Sequence, residues 1–223
     1  MNFPRRHALG EALSETLSTS LTLLLFSVVC AGLLAGTYLA TRPTIERSEL
    51  EAKMRLVTQA LPAGSFDNDP VRDAQPLPAD PLLGLRHPGL AYVAASQGKP
   101  TAVVLEAVAP DGYAGEIKLL IGILADGSIA GVRVTSHKET PGLGDYIDIA
   151  KNDWIKLFTG KSAQNPAAEG WRVRKDGGQF DYLAGATVTP RAVVKAVHKA
   201  LNYFEAHRQQ LLRLPEPKPK ETP

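Results

Sequence analysis

The segment with the clearest chemical potential spans residues 181–190 and reads DYLAGATVTP. Gly185 and Ala186 have almost no side-chain volume immediately before Thr187. A large planar ligand or a modifying enzyme can therefore approach the Thr187 hydroxyl closely. The segment therefore offers a nucleophilic oxygen with small neighbours. The chemistry that fits is modification of the hydroxyl, or binding of a ligand beside it.

Thr189 and Pro190 predict the start of a helix directly after this hydroxyl. The threonine oxygen can accept hydrogen bonds from free backbone N–H groups, and proline suits the first helical position because its missing donor is not needed there. A helix N-terminus favours an anion, above all a phosphate, because free N–H groups and the helix dipole point at it. An ordinary loop-to-helix junction has the same residues, and this alternative stays open.

A second candidate loop spans residues 136–145 and reads SHKETPGLGD. Its two glycines and one proline set a fixed path and expose backbone amides to a ligand. His137, Lys138 and Glu139 raise the possibility of acid and base chemistry. No second histidine or carboxylate has metal-ligand or dyad spacing, so we interpret them as hydrogen-bonding loop residues.

The elements that position these loops are predicted from periodicity. Alternating apolar runs around Gln97-Gly98-Lys99 and around Asp126-Gly127 indicate two β-hairpins, and 171–175 is a further predicted strand. Residues 148–158 predict a short helix ending at Gly160, and apolar residues recur at helical spacing after Pro190. The predicted fold class is α+β, with antiparallel strands packed with helices.

Residues 16–41 contain no charged residue and are dominated by leucine, valine, alanine and phenylalanine. This length spans the hydrocarbon core as a helix and exceeds the apolar core of a cleaved signal peptide, so we predict a single N-terminal transmembrane helix. The predicted organisation is a short segment 1–15, a transmembrane helix 16–41, a stalk helix 42–62, a folded domain 63–212 and a disordered tail 213–223.

Composition excludes several classes of function. The net charge of the 223 residues is +2 with scattered basic residues, which argues against nucleic acid as a partner. The single cysteine, Cys30, permits no internal disulfide, no CxxC pair and no four-cysteine iron–sulfur site. Redox chemistry would therefore need another cofactor. Positive charges flank the apolar segment on both sides and do not decide its orientation.

Together, the two loops and the N-terminal anchor resemble the FMN-binding domain of the G subunit of the Rnf ion-translocating electron transport complex. The resemblance covers the anchor, the paired hairpins, ETPGLGD and the GAT stretch before the last helix. The C subunit of the sodium-translocating NADH:quinone reductase is of the same type and remains an alternative.

In that family a flavin transferase joins FMN through its phosphate to a threonine, within the pattern Asp, two residues, Ser or Thr, Gly, Ala, Thr. Asp181, Gly185 and Ala186 match this pattern, and Thr187 becomes the attachment point. Ala184 departs from it, since the family usually has a hydroxyl residue there. The resemblance thus implies covalent FMN, with the remaining phosphate charge near the helix N-terminus.

Attachment at one end leaves the flavin ring free to lie against another loop, and residues 139–144 are the candidate. Backbone amides and Thr140 would bond the polar edge of the ring, and Leu143 would pack on its face. Lys175 either places a positive charge near the reduced flavin or is a solvated surface residue. The predicted cofactor-binding residues are Asp181, Gly185, Ala186, Thr187, Thr189, Glu139, Thr140, Gly142, Leu143 and Lys175.

The implied function is a membrane-anchored one-electron carrier that works between neighbouring membrane subunits and has no substrate of its own. The complex would couple electron flow between ferredoxin and NAD to ion transport, with this domain on the periplasmic side of the cytoplasmic membrane. A flavin-free anchored scaffold or sensor module is the alternative of a different class.

Overall fold

The computed structural model describes residues 5–214, with side chains from residue 16 onward. Most of the predicted tail, 215–223, lies outside the described residues. The chain divides into two compact units, with the boundary between Glu51 and Ala52. Helix α1 is Arg5–Gln59 and continues through Pro43. It is one helix where the sequence indicated an apolar helix followed by a separate stalk helix.

Within the described part of the chain, α1 provides one segment long and apolar enough to cross a membrane. Leucines and other apolar residues between 16 and 41 are exposed, as a helix surrounded by lipid requires. The predicted N-terminal apolar helix is thus present in the structure.

The second unit is built on a five-stranded antiparallel sheet with the strands in chain order. The strands are β1 Gln75–Leu77, β2 Gly89–Ser96, β3 Lys99–Ala109, β4 Ile117–Leu124 and β5 Ile129–Ser136, and the last helix is α2 Val188–Leu211. Short 3-10 helices Asp145–Ile147, Asp153–Phe158, Ala168–Gly170 and Arg174–Asp176 lie between β5 and α2. The predicted α+β class is confirmed.

Both predicted hairpins are present. Gln97 and Gly98 connect β2 to β3 with φ values of 51° and 72°. Positive φ at both loop residues matches the tight turn that fits the right-handed twist of paired strands. In the β4–β5 turn, the Asp126 carboxyl accepts hydrogen bonds from the backbone and side chain of Ser128.

The sheet is covered on both faces, so its central strands are almost continuously apolar. One face packs against α2 and the 3-10 segments. The other face packs against the end of α1, where Val57, Ala60 and Leu61 are buried with Tyr92 and Val104. The C-terminal turns of the predicted stalk therefore form part of the domain core.

A polar contact also fixes the end of α1 to the sheet. Glu106 accepts a hydrogen bond from the Tyr92 hydroxyl at 2.6 Å and pairs with Lys53 at 2.9 Å. Burial, followed by the hydrogen bond and charge of Glu106, raises the pKa of Tyr92. The phenol therefore stays protonated as a donor.

The predicted strand at 171–175 is wrong. Trp171 and Val173 are buried and alternate with exposed residues. This alternation of buried and exposed side chains is the same two-residue pattern that a half-buried strand shows. A single bridge joins Val173 to Phe180, and the chain turns through Arg174–Asp176 into Gly177, which has a φ of 82°. The helix predicted over 148–158 is present only as the 3-10 helix Asp153–Phe158, and the Asn152 side chain accepts from the Trp154 amide at its start.

Gly122 and Gly131 face each other on β4 and β5 and let the residue after α1 approach the sheet. A Cβ at Gly122 would lie 2.1 Å from the Ala60 carbonyl oxygen, and one at Gly131 would lie 3.2 Å from it. We expect Gly122→Ala to lower the free energy of unfolding by about 1–3 kcal/mol through overpacking, with a smaller loss for Gly131→Ala. Denaturant unfolding of the detergent-solubilised protein measures both, and wild-type stability of Gly122→Ala would contradict this packing.

Candidate functional site

The stretch before α2 forms a tight turn over Leu183–Ala186. The Ala186 amide donates to the Leu183 carbonyl at 3.0 Å, and Gly185 has a φ of 89°. A turn with positive φ at its third residue needs glycine, since a side chain strains that conformation. No atom lies within 4 Å of a Cβ built at Gly185, so the backbone angle alone sets the requirement.

Two buried aromatic residues hold this turn in place. The Trp154 indole N–H donates to the Asp181 carbonyl at 2.7 Å. The Tyr146 hydroxyl accepts from the Leu183 amide at 3.3 Å and contacts the Ala186 carbonyl at 3.5 Å. Burial raises the pKa of Tyr146, so its hydroxyl keeps its proton. The turn is therefore anchored from the segment that follows ETPGLGD.

The start of α2 differs from the sequence prediction. The helix begins at Val188, and the flanking residue is Thr187, with φ −82° and ψ −27°. These angles are helical, whereas a side chain that caps a helix usually belongs to a residue with extended angles. The Thr187 hydroxyl accordingly makes no capping bond. The prediction that Thr189 caps the helix is wrong, because Thr189 lies inside it.

Thr189 instead donates its hydroxyl proton to Glu139 Oε2, and both side chains are buried. The other oxygen, Glu139 Oε1, accepts from the Ala114 amide at 3.0 Å. One carboxyl group thus joins three segments: the β3–β4 connection, the loop after β5, and the first turn of α2. Glu139 is a structural link here, with both oxygens already bonded.

Two glycines make room for this link. A Cβ at Gly144 would lie 2.8 Å from Glu139 Oε2 and 3.0 Å from the Thr189 hydroxyl oxygen. A Cβ at Gly112 would lie 3.0 Å from Glu139 Oε1. Side chains at either position would displace the carboxyl group, so the loop sequences are adapted to it.

The Thr187 hydroxyl contrasts with that of Thr189. Thr187 is partly exposed, and its side chain has no hydrogen-bond partner among the described residues. The amides of Val188 and Thr189 likewise find no acceptor in the described part of the chain. A free hydroxyl therefore lies beside free N–H groups at the N-terminus of a 24-residue helix.

Exposed apolar side chains lie on the three segments that Glu139 joins or on their immediate continuations. Tyr113 is 72% exposed, Leu143 47% and Leu183 43%, and Tyr182 and Val188 are exposed as well. Sequence reasoning identified Leu143 alone. Val188 stands between the two threonines of the first candidate loop, whereas Tyr113 lies outside both candidate loops and had no local signal.

The other predicted residues of the ETPGLGD loop are arranged differently from the expectation. The amides of Leu143 and Gly144 donate to the Thr140 carbonyl at 3.1 and 3.0 Å, and the Gly142 amide donates to Asp145 at 2.8 Å. These amides stabilise the loop itself in this conformation. The Thr140 side chain is exposed and has no hydrogen-bond partner within residues 16–214.

Asp181 and Lys175 are exposed at the edge of the site. The Asp181 carboxyl pairs with Arg174 at 2.9 Å. An exposed pair of this kind contributes little to stability, so the Asp181 side chain is accessible to a modifying enzyme. Lys175 forms no ion pair within 4.0 Å in the described residues.

Comparison with known proteins gives two family matches. Residues 112–202 match the family described as "FMN-binding domain", and residues 12–60 match "RnfG N-terminal region". Three similar relatives are each named as the G subunit of an ion-translocating oxidoreductase complex. The relative from Pseudomonas aeruginosa is 53% identical, covering 88% of this chain and 92% of its own. Those from Vibrio cholerae and Shewanella baltica are 46% and 44% identical, covering 88% and 86% of this chain and 94% and 91% of their own.

The contrast between the two threonines gives a stability prediction. Thr189→Val keeps the shape of the side chain but leaves Glu139 Oε2 buried without its donor, and we expect a loss of about 1–3 kcal/mol in the free energy of unfolding. Thr187→Val removes an unbonded hydroxyl, and its effect should stay within about 0.5 kcal/mol. Denaturant unfolding of flavin-free protein measures both. Equal effects would contradict the assignment of the link to Thr189.

Proposed function

The chain belongs to the family of G subunits of ion-translocating oxidoreductase complexes and contains an FMN-binding domain, and on this basis we propose that it carries FMN covalently on Thr187 and relays electrons within its complex. The one apolar helix long enough to cross a membrane in the described residues fits a single-pass subunit. Its partners are the other membrane subunits, and a flavin transferase serves its maturation.

The observation that carries the proposal is the difference between the two hydroxyls at the start of α2. Thr189 is 1% exposed and its hydroxyl is bonded to Glu139. Thr187 is partly exposed and unbonded. Only the Thr187 oxygen is available to form a phosphoester without breaking the fold. This supports Thr187 over its neighbour.

The surroundings of Thr187 suit the product of that reaction. The phosphoester keeps a negative charge, and the free amides of Val188 and Thr189 lie next to it. The positive end of the helix dipole adds to this attraction, which is typically worth about 0.3–1 kcal/mol at an exposed site and more when the site is partly buried. The chain can therefore hold the phosphate at the attachment point.

The turn at Leu183–Ala186 presents the hydroxyl to the transferase. Gly185 sets the chain direction, and Ala186 places only a methyl group beside Thr187. Ala184, which departs from the family pattern, is exposed. The fold therefore does not need a hydroxyl group at this position. The effect of Ala184 falls on recognition by the transferase rather than on the fold.

The exposed apolar side chains give a surface for the flavin ring. Tyr113, Leu143 and Leu183 are held on segments that Glu139 and Tyr146 connect. Bound FMN supplies one-electron transfer, for which no residue of the described chain is suited. Tyr113, Leu143 and Leu183 would hold the ring. Lys175 remains a proposed source of positive charge near the reduced flavin.

Orientation in the membrane follows from the family resemblance. We propose the cytoplasmic membrane as the location, with the second unit on the periplasmic side. The relatives named as G subunits favour this assignment over the C subunit of the sodium-translocating quinone reductase. A flavin-free scaffold remains the competing hypothesis that experiment must exclude.

Attachment is tested on a denaturing gel after co-expression with a flavin transferase. We expect yellow-green fluorescence of the wild-type band and of Thr189→Ser, which keeps the bond to Glu139, and a dark band for Thr187→Val. Intact mass should show one added FMN less one water. Fluorescence of Thr187→Val, or a dark wild-type band, would overturn the proposal.

Gly185 gives a second test of the site. Gly185→Ala places a side chain at a φ of 89°, which costs on the order of 1 kcal/mol of local strain. We expect slower flavin attachment at Thr187, measured as the rise of in-gel fluorescence with time, since the turn populates its presenting conformation less. Ala184→Ser, at an exposed position with no strain, is the matched control and should be modified at least as fast as wild type.

A further inference from the structure

A surface cleft of about 400 Å³ lies between α2 and the turn that follows Trp171. Arg191, Lys195 and Lys199 line it from α2, at four-residue intervals that place them along one side of the helix. Arg172 lines it from the opposite side. The eight helical steps from Arg191 to Lys199 give the stripe a length of roughly 12 Å. None of these residues belongs to the predicted flavin site.

Two carboxylates fix parts of this stripe. Asp176 accepts from Arg191 Nε at 2.5 Å and Nη2 at 2.6 Å, a two-pronged contact that holds the guanidinium in one orientation. Arg191, with Lys175 and Arg172 nearby, lowers the pKa of Asp176. The carboxylate is therefore surrounded by three cations.

A second carboxylate, Asp111, contacts the stripe further along α2. Asp111 pairs with Lys195 at 2.6 Å, and Lys199 also lies close enough to lower the pKa of Asp111. The four cations that line the cleft thus stand against two carboxylates, so two positive charges remain uncompensated. Neither Arg172 nor Lys199 forms an ion pair within 4.0 Å in the part of the chain that the structure describes.

Trp171 and His198 contribute aromatic rings to the lining of the cleft. The rings of Trp171 and His198 stack with centroids 4.9 Å apart and planes 3° apart. Burial lowers the pKa of His198, so the imidazole is neutral at pH 7 and adds no charge. Cations together with these aromatic rings suit an acidic side chain whose methylene groups pack on the rings.

We propose that this cleft docks an acidic segment of another subunit of the same complex. The chain belongs to a family of subunits, so partner surfaces are required, and the uncompensated charge selects an anionic one. An extended segment of about four residues matches the length of the stripe. Arg191 follows Thr187 by one helical turn, and its amide donates to the Thr187 carbonyl at 3.3 Å. A partner docked here lies close to the proposed flavin position.

Charge reversal in the full complex tests the docking site. We expect Arg172→Glu with Lys199→Glu to lower the amount of this subunit that co-purifies with the complex at least fivefold at physiological salt. The matched control reverses two exposed lysines elsewhere, Lys99→Glu with Lys151→Glu, and should leave co-purification unchanged. Undiminished assembly of the cleft variant, or an equal loss for the control, would overturn the proposal.

A second measurement separates docking from folding. A photoreactive amino acid in place of Lys199 in the otherwise wild-type complex should cross-link to a neighbouring subunit at an acidic segment, identified by peptide mass spectrometry. In-gel flavin fluorescence and thermal unfolding of the same sample report an intact domain independently of docking. Cross-links to lipid alone, or none to another subunit in an intact complex, would contradict an acidic protein partner.

Discussion

The buried carboxyl group of Glu139 is the contact on which the arrangement of the site depends. It bonds the Ala114 amide with one oxygen and the Thr189 hydroxyl with the other. The β3–β4 connection, the loop after β5 and the start of α2 are far apart in sequence. The pairing of Lys118 on β4 with Ser136 on β5 brings the first two to the same end of the sheet, and the carboxyl group joins the start of α2 to both. Because a buried acceptor without a donor is costly, the carboxyl group strongly favours the one arrangement in which both partners are present.

This constraint gives two similar threonines different roles. Thr189 is committed to the fold, whereas Thr187 is left with a free hydroxyl at a helix end that has two free amides. The Leu183–Ala186 turn, held by Tyr146 and Trp154, then sets the direction from which the hydroxyl is approached. The proposed attachment of FMN rests on this division of roles and on the family to which the chain belongs.

Much of the fold could be predicted from the sequence because local signals agree with tertiary packing there. The hairpin turn at Gln97-Gly98 and the apolar N-terminal helix are examples. The prediction over 171–175 is wrong because alternate burial arises in a turn segment as easily as in a strand. The end of α1 was interpreted as a stalk, since sequence does not show that Val57 meets the second face of the sheet.

The site was predicted in part for similar reasons. Residue types and spacing indicated the two loops, but hydrogen bonds over 37 or 50 positions cannot be read from local patterns. Three features therefore emerged only from the structure. They are the contact of Tyr146 with the turn, the hydrogen bond between Thr189 and Glu139, and the exposed Tyr113. The basic cleft was also hidden, because its cations come from α2 and from a turn that was predicted as a strand.

Fragmentation mass spectrometry of the wild-type protein, after maturation with a flavin transferase, distinguishes the two threonine hydroxyls directly. Trypsin cleavage after Lys175 and Arg191 releases one peptide, 176–191, that contains both threonines. We expect FMN phosphate on the Thr187 oxygen and an unmodified Thr189. Flavin on Thr189, or a peptide without flavin from protein that has met the transferase, would contradict this expectation.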